Sequence, residues 1–181
     1  MKNIGLLFRV FFNVVRFVGK SYFNNVIAVS TTTKINIDKT AKLNIGKGFR
    51  TRNNVQINVR NNATLEIGDN VFINSNSIIT CRAYISIGTN TIIGPNVCIF
   101  DNDHNIENGH VSDNEYICDE VIIGDNVWIG AGSIILKGVK IGSNVVVGAG
   151  SVVLKDIPDG NVMFQKRENT LKFIGSTNDN A

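Results

Sequence analysis

The sequence predicts an all-β chain wound as a parallel β-helix of six-residue repeats, and three observations carry that prediction. Ile123, Ile129, Ile135, Ile141, Val147 and Val153 recur every six residues without a slip. Gly124, Gly130, Gly142 and Gly148 follow four of them, and Asn126 and Asn144 stand three positions after two. Val and Ile are abundant while Pro occurs only twice in 181 residues, as stacked β-structure requires. A period of six fits neither a helix, whose apolar face recurs at 3.6, nor a lone amphipathic strand, which alternates at 2. It fits a coil of short parallel strands with a sharp corner after each. The aliphatic side chain then points inward, onto its equivalents above and below. The corner calls for φ > 0, which Gly and Asn adopt at little cost.

Residues 1–30 are different in kind. MKNIGLLFRVFFNVVRFVGKSYF is apolar, but Arg9 and Arg16 interrupt it too early for a clean membrane span of about 20 residues. No small-residue cleavage site of a signal peptide follows it. On a helix, Lys2, Arg9, Asn13, Arg16 and Lys20 share one narrow stripe, and Ile, Leu, Val and Phe fill nearly all the rest. Such an amphipathic helix must bury most of its circumference. Two burials stay open: against the coil and neighbouring subunits, or in a membrane interface through residues 2–20, with the basic stripe on the headgroups.

The coil itself occupies residues 31–158. Ile35/Ile37, Leu43/Ile45, Ile57/Val59 and Leu65/Ile67 alternate as strands do, between corners such as Gly46, Asn53-Asn54 and Asn61-Asn62. Strict sixes run through Ile67, Ile73, Ile79 and Ile85, and after a two-residue offset Ile87, Ile93 and Ile99 resume them. Three hexads make one three-sided coil, so the domain amounts to about six coils stacked at ~4.8 Å. Open strand edges at both ends demand covers. The N-terminal helix can cover one, and a short C-terminal cap within residues 159–181 the other. The final STNDNA reads as a disordered tail.

One stretch breaks the beat: FDNDHNIENGHVSDNEYICDE, a polar and acidic loop over residues 100–120 that holds both histidines, His104 and His110. Loops rooted in a rigid scaffold carry function. His104 sits at the loop's root, where its position can be fixed, whereas His110 lies mid-loop beside Gly109. The formal charge of +3 is small and scattered, and no interleaved basic–aromatic patch is visible, so no nucleic acid partner is expected. Cys81, Cys98 and Cys118 are odd in number without CxxC spacing, which points to free thiols in a reducing cytoplasm.

These motifs resemble the hexapeptide-repeat acyltransferases, notably maltose/galactoside O-acetyltransferases and polysaccharide O-acetyltransferases. IGDNVWIGAGSIILKGVKIG followed by VVGAGSVVLKDIP is similar to the family's C-terminal signature; FINSNSIIT resembles its acceptor-side stretch and DNDHN its catalytic-histidine stretch. The resemblance spans roughly residues 65–158. It implies a left-handed coil, a homotrimer with active sites between subunits, acetyl-CoA as acyl donor and a saccharide as acceptor. Among site residues it implies His104 as the catalytic base, Asn74 and Trp128 on the acceptor side, Ala131 and Ala149 beside the pantetheine, and Lys155 near the CoA phosphates. After Pro158 the chain departs from the family pattern, leaving Lys166 and Arg167 as cofactor-binding candidates on basic character alone.

The chemistry needs few parts. A sugar hydroxyl is a weak nucleophile at neutral pH, so a base must take its proton as it attacks the thioester, and His suits that task. Asp103, with Asp101, flanks the base and can orient the imidazole or bind acceptor hydroxyls, though each alone also reads as a solvated loop acid. Cys98 is close in sequence but stands at an ordinary strand position, so no acyl-enzyme is expected. The expected function is O-acetylation of a saccharide, a surface polysaccharide or its precursor. N-acetylation of an amino-sugar nucleotide is the alternative. A zinc carbonic anhydrase of this fold needs three histidine ligands per site, which two histidines in the chain oppose, and no metal site is expected.

Overall fold

The computed structural model describes residues 28–166, 168 and 170–172. The helix and the membrane contact expected of residues 1–30 fall outside them, apart from 28–30, which are not helical: Ala28 makes a parallel bridge to Arg50. Among the described residues there is no helix, and hence none long and apolar enough to cross a membrane.

Short parallel strands stack into three faces. The first face contains Lys34–Ile37, Gln56–Val59, Ile78–Cys81, Cys98–Phe100, Ile134–Ile135 and Val152–Val153. The second contains Lys42–Ile45, Thr64–Ile67, Tyr84–Ile87, Val121–Ile123 and Lys140–Ile141, and the third runs from Arg50–Thr51 through Trp128–Ile129 to Val162–Met163. Five turns carry all three strands. The sixth replaces its second strand by a single bridge, Ile141 to Ile157. This parallel solenoid is consistent with the left-handed β-helix that the resemblance implies.

The six-residue beat is the spacing of the inward columns. Ile57, Ile79, Ile99, Ile135 and Val153 pair in register on one face, and Ile45, Ile67, Ile87, Ile123 and Ile141 on the next. Almost every member is fully buried, so one continuous aliphatic core runs along the axis. The expected offset has a physical cause. Register partners lie 22 residues apart in the early coils, 20 at the third and 18 at the C-terminal end. On the first two faces the first three coils use four-residue strands with two inward side chains and the last coils two-residue strands with one, while the third face has two-residue strands throughout.

Positive φ falls mainly on asparagine: Asn54, Asn62, Asn70, Asn76, Asn90, Asn96, Asn126 and Asn144 all turn corners in this way. One column of them hydrogen-bonds amide to amide up the stack, Asn70 to Asn90 at 3.1 Å, Asn90 to Asn126 at 3.2 Å and Asn126 to Asn144 at 3.3 Å. The glycines that follow the aliphatic residues serve another purpose than the one expected. Gly46, Gly124, Gly130, Gly142 and Gly148 do not have positive φ; at the corner near Gly46 that conformation belongs to Gly48. They are small because the next coil is close. A Cβ on Gly130 would stand 2.8 Å from both Ala149 Cα and the Val147 carbonyl oxygen, which are backbone atoms that cannot swing aside. Gly130→Ala should therefore cost about 1–3 kcal/mol, read as a lower guanidinium midpoint with an unchanged slope.

At the C-terminal end, Val162–Met163 extends the third face by pairing with Val146–Val147. Gln165 then covers the neighbouring edge. Its Oε1 accepts from the Val152 N–H at 3.2 Å and its Nε2 donates to the Val152 carbonyl at 3.0 Å, so one amide side chain stands in for a further strand.

Candidate active site

The loop expected over residues 100–120 is a β-hairpin. Asn102–Glu107 pairs antiparallel with His110–Cys118 across the tight Asn108-Gly109 turn, whose φ values are 50° and 79°. Asn-Gly between two strand-forming runs is a strong hairpin signal in sequence. The hairpin takes the place of a short corner between the first and second faces. Its root is closed by the Asp119 N–H donating to the Asp101 carbonyl at 2.9 Å.

Asp101 is not the solvated acid that its sequence context suggests. It is fully buried, and its carboxylate accepts the backbone N–H of Arg82 at 2.8 Å and of Ala83 at 2.7 Å, and the Asn102 side-chain amide at 2.9 Å. A buried carboxylate must collect donors. These donors tie the hairpin's root to the tight corner of the coil below.

His104 lies on the exposed hairpin, just before a register shift that separates it from Ile106, and such bulges re-aim a side chain. Its Nδ1 stands 2.8 Å from the Ser112 carbonyl oxygen. A carbonyl only accepts, so Nδ1 carries the proton and Nε2 presents a lone pair. The cross-strand neighbour Tyr116 packs its ring 4.7 Å from the imidazole at 42°. Arg82 covers that same Tyr116 ring at 3.3 Å, a cation–π contact. The imidazole is thus held by a backbone carbonyl and by an aromatic ring that the scaffold itself pins. Neither Ser112, Tyr116 nor Arg82 was singled out from the sequence.

Asp103 precedes His104 on the strand, so its side chain leaves the opposite face of the hairpin. It pairs with Lys137 at 3.6 Å. The orienting group for the imidazole is the Ser112 carbonyl, and no role in orientation falls to Asp103. His110 sits exposed beside the turn, opposite Glu107.

The remaining candidates divide between two corners of the coil. Asn74, Ala131 and Ala149 line the corner between the third and first faces, with the Gly94-Pro95 level between Asn74 and Ala131 and Ala149 one level beyond Ala131. There the Asn74 N–H donates to Ile93, the Gly130 N–H to Val147, and the Gly150 N–H to Ala131. Trp128 stands just before that corner on the third face, half exposed between Ile92 and Val146. Asn74 uses its own Oδ1 to accept the Ser75 N–H at 2.8 Å. Lys155 is exposed at the other corner, above Lys137 and on the same side of the coil as the hairpin. Within one protomer the whole first face separates Asn74 from His104. Lys166 is exposed at the C-terminal end, and Arg167 lies outside the described residues.

Burial raises the Cys98 thiol above the ordinary range, and Cys81 is raised further, by burial first and then by Asp101. Both are protonated at neutral pH, which opposes a cysteine nucleophile. Cys98→Ala should keep transfer activity within about twofold. Alkylation of Cys98 should climb with pH, and at any neutral pH run slower than that of a free cysteine, because a raised pKa means less thiolate.

Comparison with known proteins agrees with this architecture. The profile of the bacterial transferase hexapeptide family (six repeats) matches residues 120–155. No curated protein matches. Among solved structures, the hexapeptide-repeat acetyltransferase VCA0836 of Vibrio cholerae O1 biovar eltor, complexed with acetyl coenzyme A, is 28% identical with a TM-score of 0.54, covering 77% of this chain and 65% of that one. AntD, an N-acyltransferase of Bacillus cereus with dTDP-4-amino-4,6-dideoxyglucose and coenzyme A, is 20% identical with a TM-score of 0.65 over 83% and 82% of the two chains. The acetyltransferase domain of PglB from Neisseria gonorrhoeae FA1090 shares the fold at 19% identity and a TM-score of 0.55, over 90% of this chain and 63% of that one. The chain carries the bacterial transferase hexapeptide repeat on the solenoid fold of the hexapeptide-repeat acyltransferases.

Proposed function

We propose that this protein is an acetyl-CoA-dependent acetyltransferase acting on a saccharide hydroxyl, with His104 as general base. The observation that carries the reading is the hydrogen bond from Nδ1 to Ser112, which commits the imidazole to the tautomer with a basic Nε2. In the reaction, Nε2 takes the proton of the acceptor hydroxyl as its oxygen attacks the thioester carbonyl. The tetrahedral oxyanion collapses, the C–S bond breaks, and the departing CoA sulfur receives the proton from the imidazolium. The products are the acetyl ester and free CoA, and no acyl-enzyme forms.

Support for the donor comes from the VCA0836 relative, which binds acetyl coenzyme A. The separation of the candidates onto two corners supports a homotrimer. A neighbouring copy would set its Asn74–Trp128–Ala131–Ala149 corner against the hairpin of the first and so complete the site. Lys155, with Lys166 and Arg167, would then meet the CoA phosphates. We place the reaction in the cytoplasm, with residues 2–20 available for peripheral membrane contact.

The test is thiol release from acetyl-CoA with neutral sugars, with amino sugars and without acceptor. Release that requires a neutral sugar supports O-acetylation. AntD is described with an amino-sugar nucleotide, so turnover confined to amino-sugar nucleotides would move the assignment to N-acetylation. Release that ignores every saccharide would sink both readings.

A further inference from the structure

The net charge of +3 conceals an uneven distribution along the sequence. Of the 18 Lys and Arg, ten lie in the first 52 residues, alongside a single acid, Asp38; the remainder of the chain has eight bases and fourteen acids. Six of those ten are on the first coil, and the structure arranges them around its rim. Lys34, Lys42 and Arg50 each open one of its three strands, one per face. Lys39, Lys47 and Arg52 stand at its three corners. All six are exposed. Phe72 of the next coil gathers two of them, with Arg50 and Arg52 at 5.4 and 5.9 Å from its ring. Asp38 faces Arg60, a cation of the second coil, at 3.8 Å.

The same end of the solenoid is where the apolar core runs out. Ile35 and Ile37 are only half-buried, while their register partners one coil up, Ile57 and Val59, are fully covered. Cations in a ring together with apolar side chains at one end match a bilayer interface, anionic at the headgroups and apolar beneath. They match nucleic acid poorly. The one aromatic residue between 31 and 52 is Phe49, which is fully buried and cannot stack on a base.

We propose that the first coil is a docking surface for an anionic membrane, its rim of six cations meeting acidic lipid headgroups with the solenoid standing end-on. Each exposed cation brought within a screening length of such a surface is worth about fivefold in partitioning. This surface is distinct from residues 2–20 and owes nothing to the chemistry at His104.

The experiment compares the full chain with its K34Q/K42Q/R50Q variant, using phosphatidylcholine vesicles with and without phosphatidylserine. Wild-type protein should sediment with the mixed vesicles and leave the neutral ones. The variant should partition about a hundredfold more weakly, with a shallower salt dependence, while keeping its melting temperature and its rate on soluble acceptors. Equal partitioning of variant and wild type overturns the proposal, since residues 2–20 would then suffice. So does equal binding of wild type to neutral vesicles. Displacement of the protein from mixed vesicles by duplex DNA, at matched anionic charge, would reassign the surface to nucleic acid.

Discussion

Replacing His104 by alanine is expected to lower kcat at least about a hundredfold while leaving acetyl-CoA affinity within a few-fold. The imidazole is exposed on a hairpin, held by Ser112 and Tyr116 and buried by nothing, so its removal opens no cavity and should leave the melting temperature in place. The lost term belongs to the transition state, where the acceptor proton is in flight. His110→Ala is the internal control, because that side chain sits exposed by the Asn108-Gly109 turn, and most activity should survive. The two phenotypes reversed would mean the base has been misassigned. Tyr116→Leu should fall between them, lowering kcat without moving KM for acetyl-CoA. Tyr116→Phe, which keeps the ring between His104 and Arg82, should restore most of the loss.

The second large effect is expected at Asp101, on stability. Asp101→Ala strips the acceptor from the Arg82 and Ala83 N–H groups and from the Asn102 amide, at a position with no access to water. An unsatisfied buried donor costs about 1–3 kcal/mol, so the change should approach 3–5 kcal/mol and lower the melting temperature by roughly 10 °C. Activity should fall as well, because the hairpin carrying His104 is rooted at this carboxylate. Asp101→Asn is a sharper probe. It keeps the volume but turns one oxygen into a donor facing N–H donors, so it should recover only part of the loss. A melting temperature within a degree of wild type for Asp101→Ala would show that the corner finds other acceptors.

The coil was legible because its signal repeats. Each of Ile123, Ile129, Ile135, Ile141, Val147 and Val153 fills the same inward position, and the repetition reveals the period. Asn126 and Asn144 were legible as corners, since few residues take positive φ cheaply. The glycines after the aliphatic positions are legible as required, but the reason for them is not. Sequence shows that a small residue is required, and only the stack shows that the requirement comes from the neighbouring coil's backbone and not from φ. The hairpin reads as a loop in sequence because polar composition outweighs Asn108-Gly109, although the turn chemistry is present. Asp101 was beyond sequence reasoning, for its backbone donors lie 18 and 19 residues away and nothing local marks them. His104 could be picked out as the candidate base from its neighbours in sequence. Its tautomer, set by the Ser112 carbonyl eight residues on, could not.

The hairpin also leaves no trace in the ladder that carries it. Cys98 pairs with Ile78 below and Ile134 above, and Val121 and Ile122, on the far side of the excursion, pair with Ile85 below and Lys140 above in matching order. Each coil answers only to its two neighbours, so an excursion at a corner costs the stack no register. The hairpin that carries His104 and the stack beneath it are therefore separable units. A chain in which residues 102–118 are cut back to a short corner like Lys137-Gly138 could keep every pairing of the solenoid. The scaffold can host, lose or exchange an excursion at one corner without disturbing the rest, much as a shaft accepts a different tool at one fixed socket.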